Sequence, residues 1–150
     1  MANTYSQIYL HLVFATKPYP ISYIKEDQRV IVEKYICGIV RNNDCKMLAI
    51  YCNPDHTHIF LDIAPKISIS ELVQKIKVSS SKFIHEHFKN RYFAWQSGYG
   101  VFSSPQSAKE KICRYILNQK EHHGKRNFRD EYLYILDRCN IEYKEEYIFK

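Results

Sequence analysis

Between Lys46 and Ala64 the chain runs apolar, turns within three residues, and runs apolar again. No other stretch restricts the possible folds as tightly. Lys46 to Cys52 reads as a strand, Asn53-Pro54-Asp55 as turn chemistry, and His56 to Ala64 as a returning strand. So short a link predicts an antiparallel hairpin, with the sheet built out from it. Side chains at i and i+2 share a face of a strand, so His56 and His58 stand side by side near the hairpin end. Thr57, Ile59, Leu61 and Ile63 turn to the other face. Two imidazoles so placed can bind one divalent metal through ring nitrogens. Two ligands are too few for a tight site, so a third must come from elsewhere. The metal reading requires both rings on one face and His56 outside the apolar core; a solvated histidine pair is the plain alternative.

The remaining elements follow from periodicity. Residues 5–16 read as a strand in which Ile8, Leu10, Leu12 and Phe14 alternate with Tyr9, His11 and Val13. Both sides are apolar or aromatic, as in a central strand covered on both faces. Lys17-Pro18-Tyr19-Pro20 ends it. His11 is open between a satisfied histidine at the edge of the core and a ligand. From Ile24 to Asn42 a broad apolar stripe predicts a packing helix, stopped at Asn42-Asn43. Pro65 ends the histidine strand, and Ser68 with Glu71 forms a capping box that opens a helix reaching about Phe88. Leu72, Ile76, Phe83, Ile84 and Phe88 face the core, while Lys75, Lys77 and Lys82 flank a run of three serines. That flank is either a solvated face or a surface for phosphates. Arg91 to Phe102 predicts a further strand, with Gly98 and Gly100 marking a bulge or close approach. Its aromatic residues either pack on the sheet or stack on unpaired bases.

The last main helix opens at Ser103-Ser104-Pro105 and is expected to reach His123, stopping at Gly124. Ala108, Ile112, Tyr115, Ile116 and Gln119 share one face. A phenol and an amide thus interrupt an apolar stripe, and both need hydrogen-bond partners if buried. One turn apart, they point into the same space. Gln119 is therefore the candidate third ligand, and Tyr115 a candidate hydroxyl nucleophile. The tail, Phe128 to Lys150, predicts a short helix packed on the domain or on a partner chain.

Composition restricts the function classes. The 150 residues are expected to form one domain, 1–150, and the formal charge of +6 makes a polyanionic partner plausible. Five cysteines form no CxxC pair, which argues against a disulfide framework and for a reducing compartment. The N-terminus has no signal-peptide pattern, and no apolar stretch reaches membrane-spanning length. The expectation is a cytoplasmic protein.

Four stretches, in order, then carry a resemblance: "LHLVFATK" from Leu10, "NPDHTHIF" from Asn53, "WQSGYGVFS" from Trp95 and "YILNQKEHH" from Tyr115. The chain resembles the TnpA-like single-tyrosine HUH transposases of small bacterial insertion sequences and the related REP-associated tyrosine transposases. The family pattern is His-hydrophobic-His; Thr57 departs from it, and its hydroxyl needs a partner. The resemblance implies an α+β fold, a ferredoxin-like or RRM-like antiparallel sheet packed with helices, which suits the strand-helix-strand-strand-helix-strand order. It implies a transposase that cuts and rejoins single-stranded DNA with hairpin ends. Tyr115 would attack a phosphodiester and form a 5'-phosphotyrosine, with Mg²⁺ or Mn²⁺ on His56, His58 and Gln119, in a homodimer. Two imidazoles and a neutral amide would leave the ion its full charge toward phosphate. The metal, Arg114 or Lys111 would lower the phenol pKa. Lys75, Lys77, Lys82 and Arg114 are the candidate DNA contacts. The alternatives are a domesticated, inactive binder of single-stranded DNA or RNA, and a metal-dependent nuclease that uses water.

Overall fold

The computed structural model describes residues 4–18, 22–122 and 126–148. The expected stops at Tyr19-Pro20 and at His123-Gly124 lie outside these residues. Four strands, β1 (Tyr9–Ala15), β2 (Lys46–Cys52), β3 (His56–Asp62) and β4 (Gly100–Ser104), form one sheet in the order β2-β3-β1-β4. Every neighbouring pair is antiparallel. Helix α1 (Arg29–Asn42) links β1 to β2, and α2 (Ile69–His87) links β3 to β4. The central pair is β3 and β1, the two most completely buried strands, and neither has a free edge. This is the expected α+β, ferredoxin-like arrangement.

The period-two pattern of the sheet separates two faces. Leu10, Leu12 and Phe14 of β1, with Ile59 and Leu61 of β3, pack against Val32 and Ile36 of α1 and Leu72, Ile76 and Ile84 of α2. Full burial of each such side chain contributes about 1.5–3 kcal/mol. Tyr35 of α1 stacks on Phe83 of α2 at 4.1 Å between ring centroids. Ser68 caps α2 as expected, its Oγ accepting from the Glu71 N–H at 3.1 Å.

The opposite face carries His11, Val13 and Ala15 of β1 and His56, His58 and Phe60 of β3. It is covered by α3 (Lys109–Leu117), α4 (Gln119–His122) and α5 (Phe128–Arg138). Ile116 of α3 packs with Tyr9, Ala49, Tyr51 and Phe60, and Phe128 of α5 packs on Val13 and Ala15. A last short helix, α6 (Glu145–Ile148), follows.

Three expectations need correction. The strand expected over 91–102 is confined to Gly100–Ser104. Trp95 makes only an isolated bridge to Thr16, because its indole N–H donates to Ser80 Oγ at 3.0 Å and Gly98 takes a φ of +84° that an extended run cannot hold. The last main helix breaks at Asn118, so Tyr115 and Gln119 lie on two successive helices. The tail forms two helices, not one.

Candidate metal and nucleophile site

His56 opens β3 directly after the Asn53-Pro54-Asp55 link, and β3 is held on both sides, with Ala15 opposite His56 and Val13 opposite His58. The two rings share a face, 5.1 Å apart between centroids. Each is anchored through Nδ1. His56 Nδ1 lies 2.7 Å from Asp55 Oδ1, and His58 Nδ1 lies 2.9 Å from His11 Nε2. Fixing one ring nitrogen in this way aims the other, as metal-ligating histidines require. The open question over His11 is thereby answered: it orients His58 from the neighbouring strand. Burial drives its pKa down to about 3, so its ring stays neutral near pH 7.

Both Nε2 atoms converge on one carboxylate. Glu131 of α5 places Oε1 at 3.2 Å from His56 Nε2 and 3.1 Å from His58 Nε2. Its Oε2 accepts from the Tyr115 hydroxyl and from Gln119 Nε2 at 3.3 Å. Gln119 Oε1 in turn accepts from Asn53 Nδ2 at 3.2 Å. The phenol, the amide and both imidazoles are therefore brought together as the sequence suggests, around a residue that it did not single out. The ligand atoms of His56, His58 and Glu131 all lie within 4.8 Å of one another. Two imidazole nitrogens, a carboxylate oxygen and an amide form a donor set suited to a divalent ion. Glu131 places one negative charge beside the expected neutral set of His56, His58 and Gln119.

Electrostatics follow from burial and that charge. Burial works against protonation of His56, but Asp55 and Glu131 outweigh it and raise its pKa. Burial and then Glu131 push the Tyr115 pKa up, against the lowering expected from Arg114 or Lys111; Gln119 and Arg126 pull the other way. His56, His58 and Gln119 are fully buried and Glu131 nearly so. The fully buried His56 ring stacks on Phe128 at 4.0 Å, a residue of the apolar cluster with Val13 and Ala15, while its nitrogens meet Asp55 and Glu131. Thr57 faces the core, in register with Cys52, and its buried hydroxyl has no strong hydrogen-bond partner among the described residues, only the weak Cys52 thiol beside it.

Glu131 had a legible signal. Phe128, Glu131, Tyr132 and Leu136 fall at i, i+3, i+4 and i+8, so a carboxylate interrupts an apolar stripe as Tyr115 and Gln119 do. The lysines of α2 are not brought to the site. Helix α2 covers the other face of the sheet, and Lys75 and Lys82 are exposed there. Lys77 donates to the carbonyl of Gln96 at 2.9 Å and to that of Gly98, and burial lowers its pKa. Arg114 is exposed on α3 beside Tyr115.

Fold and site together define a class: an antiparallel α+β protein in which a histidine pair faces a tyrosine delivered by a helix. The family model for IS200-like transposases matches residues 4–119. The chain belongs to this family. It is 30% identical over 128 residues to the IS200 transposases of Salmonella typhimurium and Salmonella typhi, covering 81% of this chain and 82% of each relative. A Deinococcus radiodurans R1 crystal structure assigned as a transposase superposes with a TM-score of 0.62 at 22% identity, over 79% of this chain and 95% of that one. A REP-associated tyrosine transposase bound to a REP hairpin gives 0.60 at 14% identity, over 83% and 73%. Glu131 lies beyond the segment that the family model matches. No helix among the described residues is long and apolar enough to cross a membrane.

Proposed function

We propose that this protein cuts and rejoins single-stranded DNA at insertion-sequence ends, with Tyr115 as the nucleophile. The observation that carries the reading is the convergence of Tyr115, Gln119, His56 and His58 on one buried carboxylate. Membership of a transposase family supports it, as does a structural neighbour seen with a DNA hairpin.

In the reaction, Tyr115 Oη bonds to phosphorus and the bond from phosphorus to the 3' oxygen breaks. The phenolic proton passes to Glu131 Oε2, which already accepts its hydrogen bond, and the departing 3' oxygen takes up a proton. The 5' phosphate stays on Tyr115, so a second 3' hydroxyl can reverse the step and join another strand without loss of the bond energy. Divalent Mg²⁺ or Mn²⁺, held by His56, His58, Gln119 and Glu131, would supply Lewis-acid charge toward the phosphate oxygens. Asp55 and His11 keep the two Nε2 atoms aimed, and Asn53 fixes the Gln119 amide. Exposed Lys75, Lys82 and Arg114 would meet phosphates outside the site; Lys77, committed to two carbonyls, is the weakest of the four candidates. The working form is a homodimer.

The test is incubation of labelled single-stranded fragments from the DNA flanking the gene with protein and Mn²⁺, followed by a denaturing gel. A labelled covalent adduct is expected, and Tyr115→Phe abolishes it while folding and DNA binding persist. Cut ends without an adduct would instead indicate water as nucleophile, and binding without cutting would indicate an inactive binder.

A further inference from the structure

Asn53 reads in the sequence as turn chemistry, but the backbone does not require an asparagine there. The described non-glycine residues with positive φ are Asp44, Lys89 and Asn140. Asn53 therefore makes no use of the left-handed freedom that favours asparagine in turns. Pro54 after it asks only for an extended residue. Yet Asn53 is just 4% exposed, and burying an amide is costly unless its polar atoms are used.

The side chain points into the site. Its Nδ2 lies 3.2 Å from His56 Nε2 and 3.2 Å from Gln119 Oε1. These are the two atoms that a divalent ion would take. His56 Nδ1 is turned to Asp55, which leaves Nε2 for the ion. Gln119 can bind a metal only through Oε1, since its amide nitrogen is a donor. An ion on those two atoms therefore meets the amide end of Asn53 as well, and the N–H end would repel it. The two ends of an amide have nearly the same shape, and a half-turn about the last side-chain bond puts Oδ1 where Nδ2 stands. Oδ1, Gln119 Oε1 and His56 Nε2 then aim lone pairs at one point, which suits a cation and nothing else. The spacings agree. Ligands about 2.1 Å from an octahedral ion lie about 3.0 Å from their neighbours. Around His56 Nε2 the separations are 3.2 Å to the Asn53 amide and 3.2 Å to Glu131 Oε1.

We propose that Asn53 is itself a ligand of the divalent ion, giving through Oδ1 a further oxygen beside those of Gln119 and Glu131. Three oxygens with two imidazoles tilt the site toward hard ions such as Mg²⁺ and Mn²⁺. The inference rests on the metal site proposed above and goes past the alignment of Gln119. As a positioning residue Asn53 donates an N–H; as a ligand it presents an oxygen. The two roles use opposite ends of the amide, which makes them separable.

The test measures metal binding by the whole chain without DNA, with Mn²⁺ by calorimetry and with Co²⁺ by absorption. Asn53→Asp keeps the shape and offers only acceptor oxygens, so it should bind Mn²⁺ at least as tightly as wild type. Asn53→Leu, similar in shape without polar atoms, should lose about tenfold or more. Asn53→Cys should gain with Co²⁺ the thiolate-to-metal charge-transfer band that requires a direct bond from sulfur to cobalt. Adding His56→Ala should remove the band. Cys52 next to it cannot supply the thiolate: it lies in the core on the opposite face, and burial pushes its thiol pKa up. No band in folded Asn53→Cys protein, or Asn53→Asp weakened as much as Asn53→Leu, overturns the ligand role and leaves Asn53 a positioning residue. Should the urea midpoint show that Asn53→Cys does not fold, the comparison of Asn53→Asp with Asn53→Leu decides. Wild-type protein that binds neither ion overturns the metal site and this inference together, while the Tyr115 adduct assay stands on its own.

Discussion

Glu131 is where the site is most sensitive to a single atom. Its two oxygens contact both histidines, the phenol and the amide. Glu131→Gln keeps the shape and removes the charge, so it should weaken Mn²⁺ binding about tenfold or more by calorimetry, in the range seen when groups around a metal site are lost. Unchanged affinity would place Glu131 outside the coordination set. Tighter binding would make it a plug instead of a ligand. Thr57 gives the opposite kind of expectation. Its buried hydroxyl has only the weak Cys52 thiol beside it, and a wholly unpaired buried hydroxyl costs about 1–3 kcal/mol. Thr57→Val should therefore raise the urea midpoint of unfolding with the slope unchanged, and a lower midpoint would show that the hydroxyl is satisfied after all.

Among the elements, α5 decides whether the site is assembled. Asn127 caps it, accepting from the Asp130 N–H at 2.9 Å, and it docks on the sheet through Phe128, Tyr132 and Leu136. Gly100 of β4 makes the docking possible, because a Cβ there would sit 2.8 Å from the Tyr132 hydroxyl and 2.9 Å from its ring. Gly100→Ala should push Tyr132 away at a cost of about 1–3 kcal/mol, the range for overpacking. Hydrogen exchange locates the effect. Amides of 128–138 should lose protection while those of β1 and β3 keep theirs. Uniform loss across the sheet would mean that α5 is not a separately docked unit. The break at Asn118 belongs to the same scale. It leaves Tyr115 and Gln119 on different helices, yet the Gln119 side chain still donates to the Tyr115 carbonyl at 3.4 Å, so both reach Glu131.

For the whole molecule, the Tyr115 hydroxyl already lies beside the histidines of its own chain, its ring 5.9 Å from that of His58. Each chain therefore holds a complete set of site residues. Mixing His56→Ala with Tyr115→Phe protein should give no adduct, since neither defect is repaired within its own chain. Recovery of adduct in the mixture would mean that the tyrosine helix is exchanged between subunits. The positive charge is spread over both faces, with Lys75 and Lys82 behind the sheet. Replacing Arg114, the exposed cation next to the nucleophile, should reduce the salt slope of DNA binding by about one unit.

Local pattern alone determined the hairpin, the shared face of His56 and His58, the packing helices on the other side and the pairing of Tyr115 with Gln119. Each of these rests on a period of two or 3.6 residues, or on turn chemistry, all written over a few neighbouring positions. Only the tertiary structure decided what depends on distant segments meeting. Glu131 reaches the site from 73 positions beyond His58. His11 orients His58 across 47. Lys77 turns from the basic flank of α2 to the Gln96 and Gly98 carbonyls, and Gln96 lines a cavity with Tyr132 and Tyr143. No local period encodes such contacts. They follow from sheet order and helix docking, where burial of Phe128, Tyr132 and Leu136 selects one face of α5 and carries the carboxylate of Glu131 in with them.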